Sequence, residues 1–155
     1  MAGNLKDRIG TTKIPMHMFP VSAIALGSIG MLNGALKYGR NNFRAEPIKA
    51  SIYVAAALRH LHAWFEGEEV DPDDGVPHLG AALANLAILA DAQAQGTLVD
   101  DRNFGDPARH RQFMQALTPL VARLTQQHAC QTPEHYTLQS PTARPDSPDD
   151  MQGLV

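Results

Sequence analysis

Cysteine is almost absent from this 155-residue chain: Cys130 stands alone, so no intrachain disulfide forms and no cysteine cluster holds zinc. Aromatic residues make up only 6%, too few for the base-stacking platform of an ordinary single-strand binder. Excess positive charge is missing as well. A formal net charge of −3 argues against a coat for nucleic acid polymers and against a binder of anionic membranes. Long apolar runs are lacking too. The most apolar stretch, Ile14 to Leu36, is interrupted by Pro15, His17, Pro20, Gly27, Gly30, Asn33 and Gly34. The segment before it is polar and mixed in charge. Neither a signal peptide nor a membrane span is expected, and the expected compartment is the cytoplasm.

What is present is helical periodicity. The hydrophobic share of 44% suits one ordinary domain with its own core. Ile24, Leu26, Ile29, Leu32 and Leu36 recur at helical spacing between Val21 and Tyr38, with Pro20 as a start and Gly39 as a stop. Gly27, Gly30 and Gly34 each weaken such a helix by up to about 1 kcal/mol relative to alanine. Their spacing marks a face where another backbone comes close. A polar connection, Arg40–Lys49, leads to the strongest helix, Ala50 to Glu66, with Tyr53, Ala57, His60 and Trp64 at three- and four-residue steps. Glu66–Pro77 is a turn by its chemistry, and a second strong helix runs from His78 to Gln95. Two helices joined by so short a turn form an antiparallel hairpin. A further helix spans Pro107 to His128, with Phe113, Leu117, Leu120, Val121 and Leu124 on one side.

No segment alternates with a two-residue period, so no strand is predicted. The expected architecture is all-α: a helical bundle of about four helices around a central antiparallel hairpin. Residues 1–20 form an irregular lead-in, 21–128 the domain, and 129–155, with four prolines and no lysine, a disordered tail.

The chemistry concentrates in RHLHAWFEGEEVDPDDGVPH, Arg59 to His78. Glu66, Glu68, Glu69, Asp71, Asp73 and Asp74 place six carboxylates within nine residues, which repel one another unless water or a cation intervenes. Mg²⁺ and Mn²⁺ favour carboxylate oxygens, and nucleotide phosphates complete their octahedron. The same stretch also reads as a solvated turn, with Pro72 and Asp73-Asp74-Gly75 as turn formers. An EF-hand is excluded, because DPDDGVPHLGAA sets its glycine one residue early and lacks the closing glutamate. His60 shares a helix face with Trp64. It suits a metal or phosphate contact, and equally a half-buried histidine bonded to a carbonyl. His78 opens the second helix, where free amides favour anions. Asn85 follows two turns later, beyond the small Ala81 and Ala82; it suits a ligand contact or a helix–helix hydrogen bond. A second cluster, KYGRNNFR, Lys37 to Arg44, offers cations for phosphate, rings for stacking and amides for a base. Read plainly, it is a helix end whose cations answer the dipole.

GALKYGRNNFR followed by YVAAALRHLHAWFEGEEVDPDDGVPHLGAALANLAIL resembles the phage-associated dATP/dGTP diphosphohydrolase N-terminal domain, a branch of the all-α, MazG-like nucleoside triphosphate pyrophosphohydrolases. The match covers about residues 20–92 and is specific in order and spacing. The motif residues are Lys37, Tyr38, Gly39, Asn42, Arg59, His60, Trp64, Glu68, Asp71, Gly75, His78 and Asn85. Phe43 stands where the pattern has tryptophan. The wider superfamily holds Mg²⁺ with E-x-x-E on one helix and E-x-x-D on the next, whereas Ala56–Leu61 and Leu79–Leu86 carry no carboxylate. The resemblance implies hydrolysis of purine dNTPs to monophosphate and pyrophosphate with Mg²⁺ or Mn²⁺, in a homodimer or homotetramer, within a phage-infected bacterial cytoplasm. Glu68, Asp71, His78 and Glu66 are the expected metal ligands, and Glu68, Glu69 and His60 the expected catalytic groups. Lys37, Tyr38, Asn42, Arg59, Trp64 and Asn85 are the expected substrate contacts. A nucleotide- or metal-binding regulator without hydrolytic power, or a helical phage accessory protein, are the alternatives.

Overall fold

The computed structural model describes residues 4–10 and 12–140. The chain is all-α. Helices α1 (Leu5–Gly10), α2 (Val21–Tyr38), α3 (Asn42–Ala45), α4 (Ala50–Phe65), α5 (His78–Gln95) and α6 (Pro107–Gln127) carry almost all of its regular structure. Two-residue strands, β1 (Ile48–Lys49) and β2 (Leu98–Val99), pair in parallel, with Ile48 opposite Leu98. Four of these elements were not predicted. The lead-in contains α1, the polar connection contains α3, and the strands are too short to show any alternation. The contacts divide the chain into two compact units, Met1–Arg102 and Asn103–Val155.

In the first unit α5 is the middle element, packed against both α2 and α4. The Ile48–Leu98 pairing joins the start of α4 to the end of α5, and His60 meets His78 near the opposite ends. The hairpin is therefore antiparallel. Small side chains fill the buried positions of both helices, Ala57 on α4 and Ala82, Ala84 and Ala92 on α5, with Ala84 turned toward Gly30 of α2. Larger groups gather at one end, where Phe43, Ile48 and Ala92 form a cluster with Met31, Tyr53, Ile88 and Leu98 around it.

The crossing of α2 with α5 depends on two glycines. A Cβ on Gly30 would lie 2.5 Å from the Gly80 carbonyl oxygen, and one on Gly80 would lie 2.6 Å from that of Leu26. Only hydrogen fits there. The glycine face predicted on α2 is thus real at Gly27 and Gly30, while Gly34 has open space around it. Gly80, its partner, gave no signal in the sequence. This face is used within the chain, so it is not spare surface for assembly.

Alpha2 ends at Gly39, whose φ of +90° suits glycine, and the chain turns back through Asn41 in the left-handed region at φ +61°. Asparagine tolerates that conformation better than most residues. The turn sets Tyr38, Arg40 and Asn42 around the end of α2. Arg44 of α3 forms an ion pair with Asp91 of α5 through two nitrogens at 2.8 and 2.6 Å, and just beyond β2 Asp101 accepts from the Ser51 amide and hydroxyl.

The second unit holds α6. Asp106 caps it by accepting from the Ala108 amide at 2.8 Å, with Pro107 in the first turn. Phe113, Leu117, Leu120, Val121 and Leu124 are all exposed. Residues 129–140 are turns and irregular chain; the remainder of the expected tail lies outside the described residues.

Candidate functional site

The acidic connection between α4 and α5 is a folded turn. Gly67, at φ +99°, takes the chain out of α4, and Val70 forms an antiparallel bridge with Pro77. Inside that bridge the Asp71 amide donates to the Val76 carbonyl at 2.9 Å, and the Gly75 amide donates to the Asp71 carbonyl at 2.8 Å. Gly75 sits at φ +71°, a conformation that L side chains rarely adopt. The His78 amide donates to the Glu69 carbonyl at 3.1 Å, so the first residue of α5 is pinned to the incoming strand of the turn.

This backbone brings three donor groups together. His60 Nδ1 and His78 Nδ1 lie 3.0 Å apart, and Asp71 Oδ2 lies 4.0 Å from His60 Nδ1. One atom from each of His60, Asp71 and His78 fits within 4.8 Å of the others, the arrangement of side chains able to hold a metal ion. His78 is buried, at 4% exposure, while His60 and Asp71 are half-buried. On its other side His78 Nε2 meets Glu68 Oε2 at 3.0 Å. An ionised carboxylate only accepts, so the His78 proton resides on Nε2 and its Nδ1 lone pair points toward His60 and Asp71. Burial pushes His60 below the usual imidazole range and His78 adds to that, with Asp71 opposing. With His78 Nδ1 as the acceptor, the 3.0 Å contact makes His60 Nδ1–H its donor, and a cation there would take the place of that proton.

Beside this cluster lies a cavity of about 710 Å³, within the range of small-molecule sites. Alpha5 supplies Ala81, Ala84, Asn85 and Ile88 to its wall, α4 supplies Tyr53 and His60, and the turn supplies Asp71 and Asp74. Alpha2 and the turn after it supply Asn33, Lys37, Tyr38, Arg40 and Asn42. Burial raises the Tyr53 hydroxyl above its ordinary pKa, with Tyr38 adding to it. Metal-capable donors and two tyrosines therefore line one cavity.

Asp74 closes the rim. Its Oδ2 accepts from Lys37 Nζ at 2.7 Å and Asn33 Nδ2 at 2.8 Å, and its Oδ1 accepts from the Val76 amide at 3.0 Å. Lys37, then Val76 and Asn33, hold the carboxyl down to about 2. The contact joins the turn to α2.

Of the residues the sequence singled out, Lys37, Tyr38, Asn42, His60, Asp71 and Asn85 line the cavity. His78 backs it through His60. Glu68 reaches the cluster only from behind the His78 ring and is itself exposed. Glu66, Glu69, Arg59 and Trp64 are exposed and outside the lining. Lys37 is paired with Asp74 rather than held ready for phosphate. Asn85 donates to the Ala81 carbonyl at 2.9 Å, a bond within its own helix. Sequence reasoning missed Asn33 and Tyr53 and treated Asp74 as a turn former. The signal for Tyr53 was its place seven residues before His60, on the same face of α4. Asn33 gave none.

A helical hairpin with two histidines and a carboxylate at the edge of a cavity defines a class: an all-α domain whose side chains could hold a metal ion beside a small-molecule-sized space. The family model described as dATP/dGTP diphosphohydrolase, N-terminal, matches residues 4–102, and the chain belongs to that family. The matched region coincides with the first compact unit. No curated protein and no solved structure matches the chain. Among the described residues no helix is long and apolar enough to cross a membrane.

Proposed function

We propose that the first unit hydrolyses purine deoxynucleoside triphosphates, dATP or dGTP, to the monophosphate and pyrophosphate with Mg²⁺ or Mn²⁺. The observation that carries this reading is the His60–Asp71–His78 cluster opening on a cavity also lined by Arg40, Tyr38 and Tyr53. A divalent ion there would lower the pKa of a water and offset phosphate charge. In the reaction water oxygen bonds to the α-phosphorus and the bridging bond to the β-phosphate breaks, releasing pyrophosphate. Arg40 neutralises phosphate charge, and Lys37 joins it once a phosphate competes with Asp74. Tyr38 and Tyr53 frame the base, while Asn42 and Asn85 supply amide contacts. Incubating the pure chain with each of the four dNTPs and either metal tests this. Absence of metal-dependent pyrophosphate from all of them refutes it.

One observation favours a second reading, a nucleotide or metal binder without turnover. Among the described residues two carboxylates line the cavity, and of these Asp74 is bound by Lys37 and Asn33. Asp71 alone is left to act as ligand or base. Calorimetry showing nucleotide binding without pyrophosphate release selects this reading.

Assembly into a homodimer or homotetramer, and action on the dNTP pool of a phage-infected bacterium, belong to the same proposal. Large apolar groups exposed on α2 and α4, among them Leu32, Leu36, Ile52 and Phe65, support the assembly. Light scattering that shows a clean monomer removes it.

A further inference from the structure

We infer that His60, His78 and Asp71 form a two-histidine, one-carboxylate metal centre, braced by Glu68, that selects a first-row transition ion over Mg²⁺. The inference rests on the metal-dependent reading above and names the class of ion that reading requires.

Three independent features point the same way. The first is spacing. Two donors at right angles around an ion with bonds of about 2.1 Å lie about 3.0 Å apart, and opposite donors about 4.2 Å. The His60–His78 separation of 3.0 Å and the His60–Asp71 separation of 4.0 Å fall on and just inside those values. The second is tautomer. A metal-bound histidine commonly donates its other ring N–H to a carboxylate, which fixes the ring and makes the ligating nitrogen more basic. Glu68 stands in that relation to His78. The third is access. His60 and Asp71 line the cavity while His78 is buried behind them, so the remaining coordination positions face the space where a phosphate chain would lie.

The donor set then decides the ion. Mg²⁺ takes oxygen ligands and is held mainly by carboxylates and water, whereas imidazole nitrogen suits the later divalent metals. Two of the three donors here are imidazole. Affinity should climb from Mn²⁺ to Co²⁺, following the general order for nitrogen-containing sites. Glu68 changes role in this account. It positions His78 and neither ligates the ion nor touches substrate.

The test uses the untagged 155-residue chain without nucleotide, titrated with Co²⁺ and followed by its visible d–d absorption. Mn²⁺ binding is followed in parallel by electron paramagnetic resonance. One ion per chain is expected, undisplaced by a hundredfold excess of Mg²⁺. His60→Ala and His78→Ala should each abolish the Co²⁺ band. Glu68→Gln should keep the band and weaken binding by about 10- to 100-fold. Because His78 is buried and its loss endangers the fold, His60→Asn, at a half-buried position, carries the same test with circular dichroism as the check. Displacement by equimolar Mg²⁺, or a band that survives in the His60 variants, overturns the proposal. Pyrophosphate release with Mg²⁺ in a His60 variant sinks this centre and leaves the hydrolytic reading standing. Co²⁺ bound as described without any pyrophosphate release upholds the centre and rejects hydrolysis.

Discussion

Six carboxylates separate α4 from α5, and they behave in two ways. Glu68, Asp71 and Asp74 are each engaged, on His78, near His60, and on Lys37 with Asn33. Glu66, Glu69 and Asp73 are exposed, and none of their side chains has a hydrogen-bond or ion-pair partner among the described residues. All six share one short stretch of sequence and the same charge. What separates them is the backbone: the folded turn around the Val70–Pro77 bridge sets Glu68, Asp71 and Asp74 against α5, α4 and α2 and leaves the other three in water. Local charge density marks a region; the direction of each Cβ makes the site.

The sharpest way to break this division is to remove an inner group. His78→Ala should lower pyrophosphate release by about 1,000-fold, equivalent to the several kcal/mol that metal assistance contributes. Assays on folded variant protein, checked by circular dichroism, decide it; near-normal turnover would place the chemistry elsewhere.

A matched pair comes next. Asp71→Asn should cost about 100-fold in turnover, whereas Asp73→Asn, two residues away on the outer side, should stay within about twofold. Equal losses would erase the distinction between the two sides.

Two glycines on α2 extend the comparison to packing. Gly30→Ala should destabilise by about 1–3 kcal/mol, because the new methyl meets backbone that cannot retreat. Gly34→Ala has open space and should stabilise by up to about 1 kcal/mol through helix propensity. Thermal melts of both variants measure this. If both lose stability alike, the α2–α5 crossing is elsewhere.

Asp74 gives a smaller, pH-dependent effect. Its folded-state carboxyl is lowered from 3.8 to about 2, so the stability it adds is complete above the unfolded value and disappears as pH falls toward 2. Lys37, raised above its ordinary 10.5, loses its share only as pH climbs beyond that value. Wild type should therefore exceed Asp74→Asn by a constant margin from about pH 5 to 9, and the two should converge in acid. The margin is that of a partly solvated pair, at most about 1 kcal/mol. A margin that grows in acid would reverse the sign and remove the clamp. Smallest of all are Glu66→Gln and Glu69→Gln, expected within about 0.5 kcal/mol of wild-type stability and near wild-type turnover. A large loss would return Glu66 to its expected place as a metal ligand, or Glu69 to its expected place as a catalytic group.

Much of the fold was legible beforehand because helix signals are local. Pro20 and Gly39 bracket α2, His78 and Gln95 bound α5, and the Asp106–Pro107 cap opens α6 at the position read from the sequence. Helix α3 was missed because four residues carry no period, and the β1–β2 pair because its partners lie fifty residues apart. The site was legible in part. His60, Asp71 and Asn85, which line the candidate cavity, stand out by residue type and helix position. Asn33 and Asp74 were not, because their meeting depends on how α2 crosses α5, which no local pattern encodes.

Periodicity and turn chemistry, which act over a few residues, were enough to set the helices, the hairpin, and the region where the chemistry gathers. The choice among chemically equivalent side chains was left to packing. Two glycines admit α2 against α5, a short backbone bridge orients the acidic turn, and the resulting geometry seats Glu68 on His78 while it leaves Glu66 and Glu69 in water. Contacts between residues distant in the chain depend on three-dimensional closure, and only the folded protein decides them.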